Sequence, residues 1–193
     1  MATAIHQALQ RPQLRQPAQV EEAMGQQAVA LLATLDTECA NVERLGQATA
    51  EAFRQHHHYA VITSFPGLGD QTGARVLAEI GDDRHRFIDA RGLKAYAGSA
   101  PVTRASGRSS TVIHRRIKND RLAAAGYVWA FMAITNHPPA KLHYERRRDH
   151  GDGHAAALRH LFNRMIGQLH HCLTTDQAYD PIKAFGTPEP DPA

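Results

Sequence analysis

Ser106 is the residue with the clearest potential for covalent chemistry, because basic residues flank it on both sides. Arg104 and Arg108 each stand two positions away, and Gly107 follows directly. A serine hydroxyl is a weak nucleophile until neighbouring groups activate it. Arginine holds a phosphate through paired hydrogen bonds and stabilises the negative charge that develops on its oxygens. The segment 103–120 therefore suits attack on a phosphodiester, with Ser106 as the nucleophile.

Further cationic side chains follow within the same segment. Arg115, Arg116 and Lys118 come after Ser106, so they are additional candidate phosphate ligands. Gly107 leaves the backbone open to an approaching nucleic-acid strand. The same composition also describes a flexible basic loop that contacts backbone phosphates without covalent chemistry. The residue types taken alone favour this second interpretation.

A Pro-Gly-Leu-Gly turn at 66–69 is the second candidate contact with nucleic acid. It lies between a short apolar run and a helix predicted over 70–80, which is the helix-hairpin-helix pattern. Gly67 and Gly69 would let backbone N–H groups approach a phosphate closely. The alternative is that both glycines only make a tight turn between helices.

Thirteen histidines raise the question of a metal site. His56, His57 and His58 are consecutive, so on a helix their side chains would point in different directions. His150 and His154 are four residues apart, but two glycines between them weaken any helix there. No acidic pair stands out as the converging carboxylates of a two-metal nuclease site. We therefore expect no metal site in this chain.

The composition indicates a cytoplasmic protein without a membrane span. No apolar run approaches the ~20 residues that a membrane span needs, and the first residues lack a signal-peptide core. The two cysteines are far apart and match no disulfide framework or zinc spacing. The formal net charge is only +3, but the basic residues cluster at 104–121 and 141–164.

The patterning predicts a mainly α-helical fold that begins with a long helix. We expect a disordered leader over 1–19 and one helix over 20–57 with a coiled-coil-like stripe. The stripe consists of Met24, Ala28, Leu31, Leu35, Val42, Leu45 and Ala52. Glu38 and Thr49 interrupt it, so self-association and packing on the chain's own domain both remain open.

A compact helical domain is predicted over 58–175. Asp89 can cap a short helix that ends near Tyr96. The stretch 98–110 is too rich in Gly, Ser and Pro for a helix, and we predict a basic loop there. Apolar faces predict two further helices, within 118–134 and 154–173. The Pro-rich tail, 176–193, is expected to lack regular structure.

Several of these motifs together resemble the C-terminal transposase domain of the insertion sequence 110 family of serine transposases. They are the Pro66–Gly69 hairpin, the helix from Ala74 to Asp82, Arg86-Phe87, the Tyr96–Pro101 segment and Ser106-Gly107. The resemblance runs from about residue 59 to 183, and the helix over 20–57 is similar to the end of the family's coiled-coil segment.

The resemblance implies DNA transposition or site-specific recombination, in which Ser106 becomes covalently linked to DNA. Ser109 and Ser110 fit less well, because they follow the Ser-Gly pair. DNA, a guide (bridge) RNA and a second copy of the chain, held through the long helix, are the implied partners, and the location would be the nucleoid. The alternatives are a non-catalytic DNA- or RNA-binding module and an inactive transposase remnant.

Members of that family also carry an N-terminal RuvC-like domain that binds Mg²⁺ through acidic residues. Nothing in residues 1–60 matches such a domain. We therefore expect the chain to be a truncated, C-terminal part of a transposase that holds no cofactor of its own. Such a chain would not act autonomously.

Overall fold

The computed structural model describes residues 2–11, 15–83 and 85–186, without the side chains of residues 104 and 110–112. Within these ranges the chain forms nine helices and one two-stranded sheet, which confirms the predicted mainly α-helical class. No helix in this part of the chain is long and apolar enough to cross a membrane. The chain divides into two units, residues 1–47 and 48–193.

The first unit contains α1 (Ala2–Leu9) and most of α2 (Ala18–Arg54). Helix α1 forms inside the segment predicted as a disordered leader, because residues 2–9 contain alanines and no glycine or proline. Residues 1 and 12–14 of that segment lie outside the described residues. Helix α2 begins two residues before its predicted start and ends three residues before its predicted end. Its large apolar side chains over 20–45 are exposed: Val20, Met24, Val29, Leu31, Leu32, Leu35, Val42 and Leu45.

The second unit is built around two helices, α6 (Asp120–Asn136) and α8 (His154–Thr175). The whole apolar face predicted for α8 is buried: Leu158, Leu161, Phe162, Met165, Leu169 and Cys172. On α6, Met132 is 41 % exposed, whereas the rest of its predicted face is buried: Leu122, Ala125, Gly126, Trp129 and Ala133.

The remaining helices of this unit surround α6 and α8. They are α3 (Tyr59–Thr63), α4 (Asp70–Ile80), α5 (Ala90–Tyr96), α7 (Pro138–Asp149) and α9 (Pro181–Phe185). Their starts follow local signals in the sequence. Asp89 accepts a hydrogen bond from the Gly92 amide at the start of α5, and Pro138 occupies the first turn of α7.

Helix α9 lies in the tail for which we predicted no regular structure. The Asp180 side chain caps it by accepting from the Ile182 and Lys183 amides, and Ala184 is buried against the domain. A proline at the first helical position removes only an amide that has no helical partner, so Pro181 favours this helix. Residues 187–193 of the predicted tail lie outside the described part.

The predicted basic loop is a β-hairpin. Strands β1 (Val102–Ser106) and β2 (Ser109–Ile113) pair in antiparallel register, from Val102 opposite Ile113 to Ser106 opposite Ser109. Gly107 has φ 56° and is the first residue of the two-residue turn. Short hairpin turns favour glycine where φ is positive, so Gly107 and Arg108, inside the stretch predicted as a loop, form the turn of a hairpin.

Candidate nucleic-acid interface

Ser106 lies at the tip of the hairpin, where β1 ends. Ser106, Gly107 and Arg108 are all exposed. Among the side chains that the structure describes, none is recorded within hydrogen-bonding distance of the Ser106 hydroxyl. The tip therefore leaves the Ser106 hydroxyl accessible from solvent, and the described residues place no general base beside it.

The hairpin separates Ser106 from most of the predicted phosphate ligands. Four residue steps lie between Ser106 and Val102, so the tip stands about 14 Å from the base of the hairpin. Arg115, Arg116 and Lys118 follow β2 at that base. One strand of DNA rises about 3.4 Å along the helix axis per phosphate, so a hairpin aligned with that axis would span about four base pairs between tip and base.

Only two predicted ligands are therefore close to Ser106 along the hairpin. Arg108 belongs to the turn, and its side chain is exposed. Arg104 lies on β1 opposite Thr111, and its side chain is outside the described part. The structure thus does not bring the whole predicted cluster to one phosphate. It distributes the cluster along a path that a nucleic-acid backbone could follow.

A cavity of about 200 Å³ lies at the base of the hairpin. Its basic lining residues are His114, Arg115 and Lys118 after β2 and Arg159 on α8, and Ser99 and Tyr127 add hydroxyl groups. The Arg115 Nε atom is buried and has no hydrogen-bond partner among the described residues. Since a buried guanidinium nitrogen without an acceptor is unfavourable, the cavity suits a phosphate oxygen or a similar anion.

A hydrogen-bonded cluster holds the two ends of the hairpin segment together. The Asn119 side-chain amide donates to Glu79 Oε2 and to the Tyr96 hydroxyl, each at 2.7 Å. Its backbone amide donates to the Tyr96 carbonyl at 2.8 Å. Arg86 donates to the Tyr96 hydroxyl at 2.9 Å and lies 4.8 Å above the Tyr96 ring. This cluster joins the end of α5, which precedes β1, to the start of α6, which follows β2.

Sequence reasoning gave no role to these four residues, although Arg86 and Tyr96 belong to the motifs that carried the family resemblance. The signal that could have identified them is the presence of polar and aromatic residues in motifs with no obvious chemistry. Their contacts hold together the parts of the chain that precede β1 and follow β2.

The two glycines of the 66–69 turn have different surroundings. Gly67 has φ 83°, and a Cβ there would lie 2.9 Å from the Trp129 carbonyl oxygen, so close packing on α6 requires glycine. Trp129 also donates from Nε1 to the Pro66 carbonyl at 2.9 Å. Gly69 is exposed and open, at the start of α4. A phosphate contact at this turn stays a prediction, and Gly69 is the better placed of the two.

The three consecutive histidines are not on a helix, contrary to our expectation. Helix α2 ends at Arg54, and the following turn stacks the rings of His56 and His57 with centroids 4.3 Å apart. Their ligand atoms and one of Asp82 lie within 4.8 Å of one another. Two imidazoles and one carboxylate do not fit the acidic Mg²⁺ site that the family resemblance implies.

The second unit therefore has the features of a helical nucleic-acid-binding domain with a basic hairpin. Residues 59–145 match the profile of the transposase IS116/IS110/IS902 family. The chain is 58 % identical over 171 residues to the mini-circle putative transposase for IS117 of Streptomyces coelicolor, covering 89 % of this chain and 41 % of that protein. The chain belongs to this family of transposases.

Two further relatives are insertion-element proteins of uncharacterised function. The 42 kDa protein of IS900 from Mycobacterium paratuberculosis is 36 % identical over 148 residues, which are 76 % of this chain and 36 % of that protein. The 44.8 kDa protein of IS116 from Streptomyces clavuligerus is 34 % identical over 132 residues, 68 % of this chain and 33 % of the relative. The chain thus spans well under half the length of each of these relatives.

Proposed function

We propose that this chain takes part in DNA transposition and that Ser106 attacks a DNA phosphodiester. The observation that carries the proposal is the exposed position of Ser106 at the tip of a basic hairpin. The similarity to a putative transposase over 89 % of the chain supports the reaction class. Arg108 would hold the attacked phosphate, while the cavity near Arg115 would hold a phosphate further along the same strand.

The proposed step exchanges one phosphoester bond for another. The Ser106 Oγ attacks the phosphorus, and the bond from phosphorus to one deoxyribose oxygen breaks. The serine proton passes to a base, and the leaving oxygen gains a proton. One end of the cut strand stays joined to Ser106 until a free DNA hydroxyl attacks the phosphoserine and releases it. Arginine side chains stabilise the charge on the phosphoryl oxygens in both directions.

The proposal requires partners that complete the site around the hairpin tip. Since the described residues place no base beside Ser106, we infer that the base comes from another domain or another copy in the assembly. A RuvC-like domain with its acidic Mg²⁺ site and a bridge RNA belong to the same proposal. The reaction would take place on DNA in the nucleoid.

We further propose that two copies of the chain associate through α2. The exposed apolar residues of the stripe include Leu31 and Leu35, which a second helix would cover. The double substitution Leu31→Glu and Leu35→Glu should convert a dimer to a monomer in sedimentation velocity experiments. Gln26→Glu, an exposed change off the stripe, should leave the dimer intact. A wild-type chain that sediments as a monomer at tens of micromolar would contradict this proposal.

A covalent adduct is the direct test of Ser106. The chain would be incubated with transposon-end DNA, the RuvC-like domain and guide RNA, and then resolved under denaturing conditions. We expect a protein–DNA adduct, with the linkage mapped to Ser106 by mass spectrometry, which Ser106→Ala abolishes. Ser109→Ala is the matched control, because Ser109 lies opposite Ser106 in the hairpin, and this variant should still form the adduct. An adduct that survives Ser106→Ala would exclude this serine.

The second candidate is a non-catalytic nucleic-acid-binding module. It is favoured by the same finding that no described side chain activates Ser106. Arg108→Ala and Arg115→Ala should then each lower DNA affinity and reduce the slope of log K against log salt by about 1. Ser106→Ala should leave the affinity unchanged. Salt-dependent binding without any adduct from the wild-type assembly would favour this candidate, and no binding at low salt would indicate an inactive remnant.

A further inference from the structure

Two imidazoles and a carboxylate meet where the turn after α2 faces the end of α4. His56 and His57 belong to that turn, and Asp82 follows Gly81, the residue that ends α4. The His56 Nε2 atom lies 3.0 Å from Asp82 Oδ1, and one ligand atom from each of the three residues lies within 4.8 Å of the others. All three belong to the second unit.

These separations are close to those of a metal site. A tetrahedral ion with bonds of about 2.0 to 2.2 Å holds its ligand atoms roughly 3.3 Å apart. The pair formed by His56 and Asp82 already has that spacing, and the exposed His57 side chain can approach by rotation about its own bonds. Water can take the fourth position, because His57 and Asp82 are exposed.

We propose that His56, His57 and Asp82 bind one divalent transition-metal ion of the zinc class. Imidazole nitrogens suit zinc, cobalt and nickel, and one carboxylate completes a common ligand set for these ions. Mg²⁺ prefers an octahedral shell of oxygen atoms, so the same residues would bind it weakly.

His58 contacts both histidine ligands. Its ring is buried and lies 3.9 Å from the His57 ring between centroids, which limits the orientations of His57. The His58 backbone amide donates to His56 Nδ1 at 3.1 Å, so without metal the proton of the neutral ring is on Nε2, facing Asp82. An ion bound to Nε2 would take the place of that proton, and the hydrogen bond from the His58 amide would then be lost because Nδ1 becomes protonated. The bound ion would then connect the turn after α2 to the end of α4.

Metal titration of the full chain tests the proposal. The chain would be prepared without a polyhistidine tag, stripped with EDTA and titrated with ZnCl₂ by calorimetry, with CoCl₂ by visible absorption and with MgCl₂ for comparison. We expect one equivalent of Zn²⁺ to bind, Co²⁺ to give the intense visible bands of a four-coordinate site, and Mg²⁺ to compete poorly. Zn²⁺ should also raise the midpoint of thermal unfolding.

Substitutions assign the site to these residues. His56→Ala, His57→Ala and Asp82→Asn should each weaken Zn²⁺ binding at least about tenfold, with circular dichroism verifying the fold. His171→Ala, an exposed histidine on α8, and Cys39→Ser, an exposed thiol on α2, should leave binding unchanged. The proposal is overturned if no stoichiometric Zn²⁺ binding occurs, or if all three substitutions leave it intact, in which case His56 and Asp82 form only an ion pair.

Discussion

Asn119 connects three parts of the second unit through one side chain. Its amide nitrogen donates to Glu79 on α4 and to Tyr96 on α5, and its oxygen accepts from the Leu122 amide at 2.9 Å, which caps α6. The residue lies between the end of β2 at Ile113 and the start of α6 at Asp120, so these bonds fix the start of α6 against α4 and α5. We expect them to anchor the chain on both sides of the hairpin, because α5 precedes β1 and α6 follows β2.

Replacing Asn119 should destabilise the second unit. Asn119→Ala removes a helix cap and two side-chain donors, and it leaves Glu79 and Tyr96 without their partner. We expect a loss of about 2 to 3 kcal/mol in the free energy of unfolding, measured by urea denaturation. Asn136→Ala, at the exposed end of the same helix, should change the value by less than about 0.5 kcal/mol. If Asn119→Ala lowered the free energy of unfolding no more than this control does, the hydrogen bonds of Asn119 would not stabilise the second unit.

At the scale of elements, the helices follow from local signals, whereas the hairpin does not. Periodic apolar residues and caps predict α4, α5, α6 and α8 close to their observed bounds, because both signals act within a few residues. Strand pairing depends on contacts between β1 and β2 across a turn. Gly, Ser and Pro are common in both loops and turns, so composition predicted a loop where the structure has strands.

The contact between α6 and α8 depends on a missing side chain. A Cβ at Gly126 would lie 2.2 Å from the Phe162 ring, which packs directly over this position. Gly126→Ala should therefore lower the free energy of unfolding by about 1 to 3 kcal/mol, seen as a lower thermal midpoint. Gly92→Ala on α5 is the control, since its Cβ would meet no atom closer than 3.7 Å. Equal midpoints for wild type and Gly126→Ala would mean that Phe162 can move aside.

At the scale of the whole molecule, partly buried histidines couple stability to pH. Burial, followed by the nearby charges of Arg164, His160, Arg147 and Arg146, lowers the pKa of His143 to about 4. Burial also lowers the pKa of His137 and, first among its causes, that of His160. The His143 Nε2 atom is buried without a partner among the described residues. These histidines therefore bind a proton less readily in the native state than in the unfolded chain, where water surrounds their side chains.

The second unit should lose stability as the pH falls from 7.5 to 5.0. Above pH 6.5 His143 is neutral in both states. Between about 6.5 and 4 the unfolded chain binds the proton and the native chain does not, so unfolding becomes more favourable. We expect a loss on the order of 1 to 2 kcal/mol from His143, after allowing for its partial exposure to solvent.

Urea denaturation at the two pH values measures this loss. His143→Phe should reduce the difference between the two pH values, because the side chain no longer titrates. His171→Phe, at an exposed position of α8, should leave the difference as in the wild type. An undiminished difference in the His143 variant would assign the pH dependence to other groups.

The amino-acid sequence by itself determined the helical class, the approximate bounds of α4, α5, α6 and α8, and the family motifs, because caps, periodicity and short motifs are properties of neighbouring residues. The tertiary structure decided which residues that are distant in the sequence lie close together. The hairpin register places Ser106 about 14 Å from the base where Arg115 lies. The end of α2 at Arg54 and the position of α4 bring His56 and His57 to Asp82. Such contacts depend on the path of the chain between the residues and on packing around α6 and α8, which no local pattern encodes.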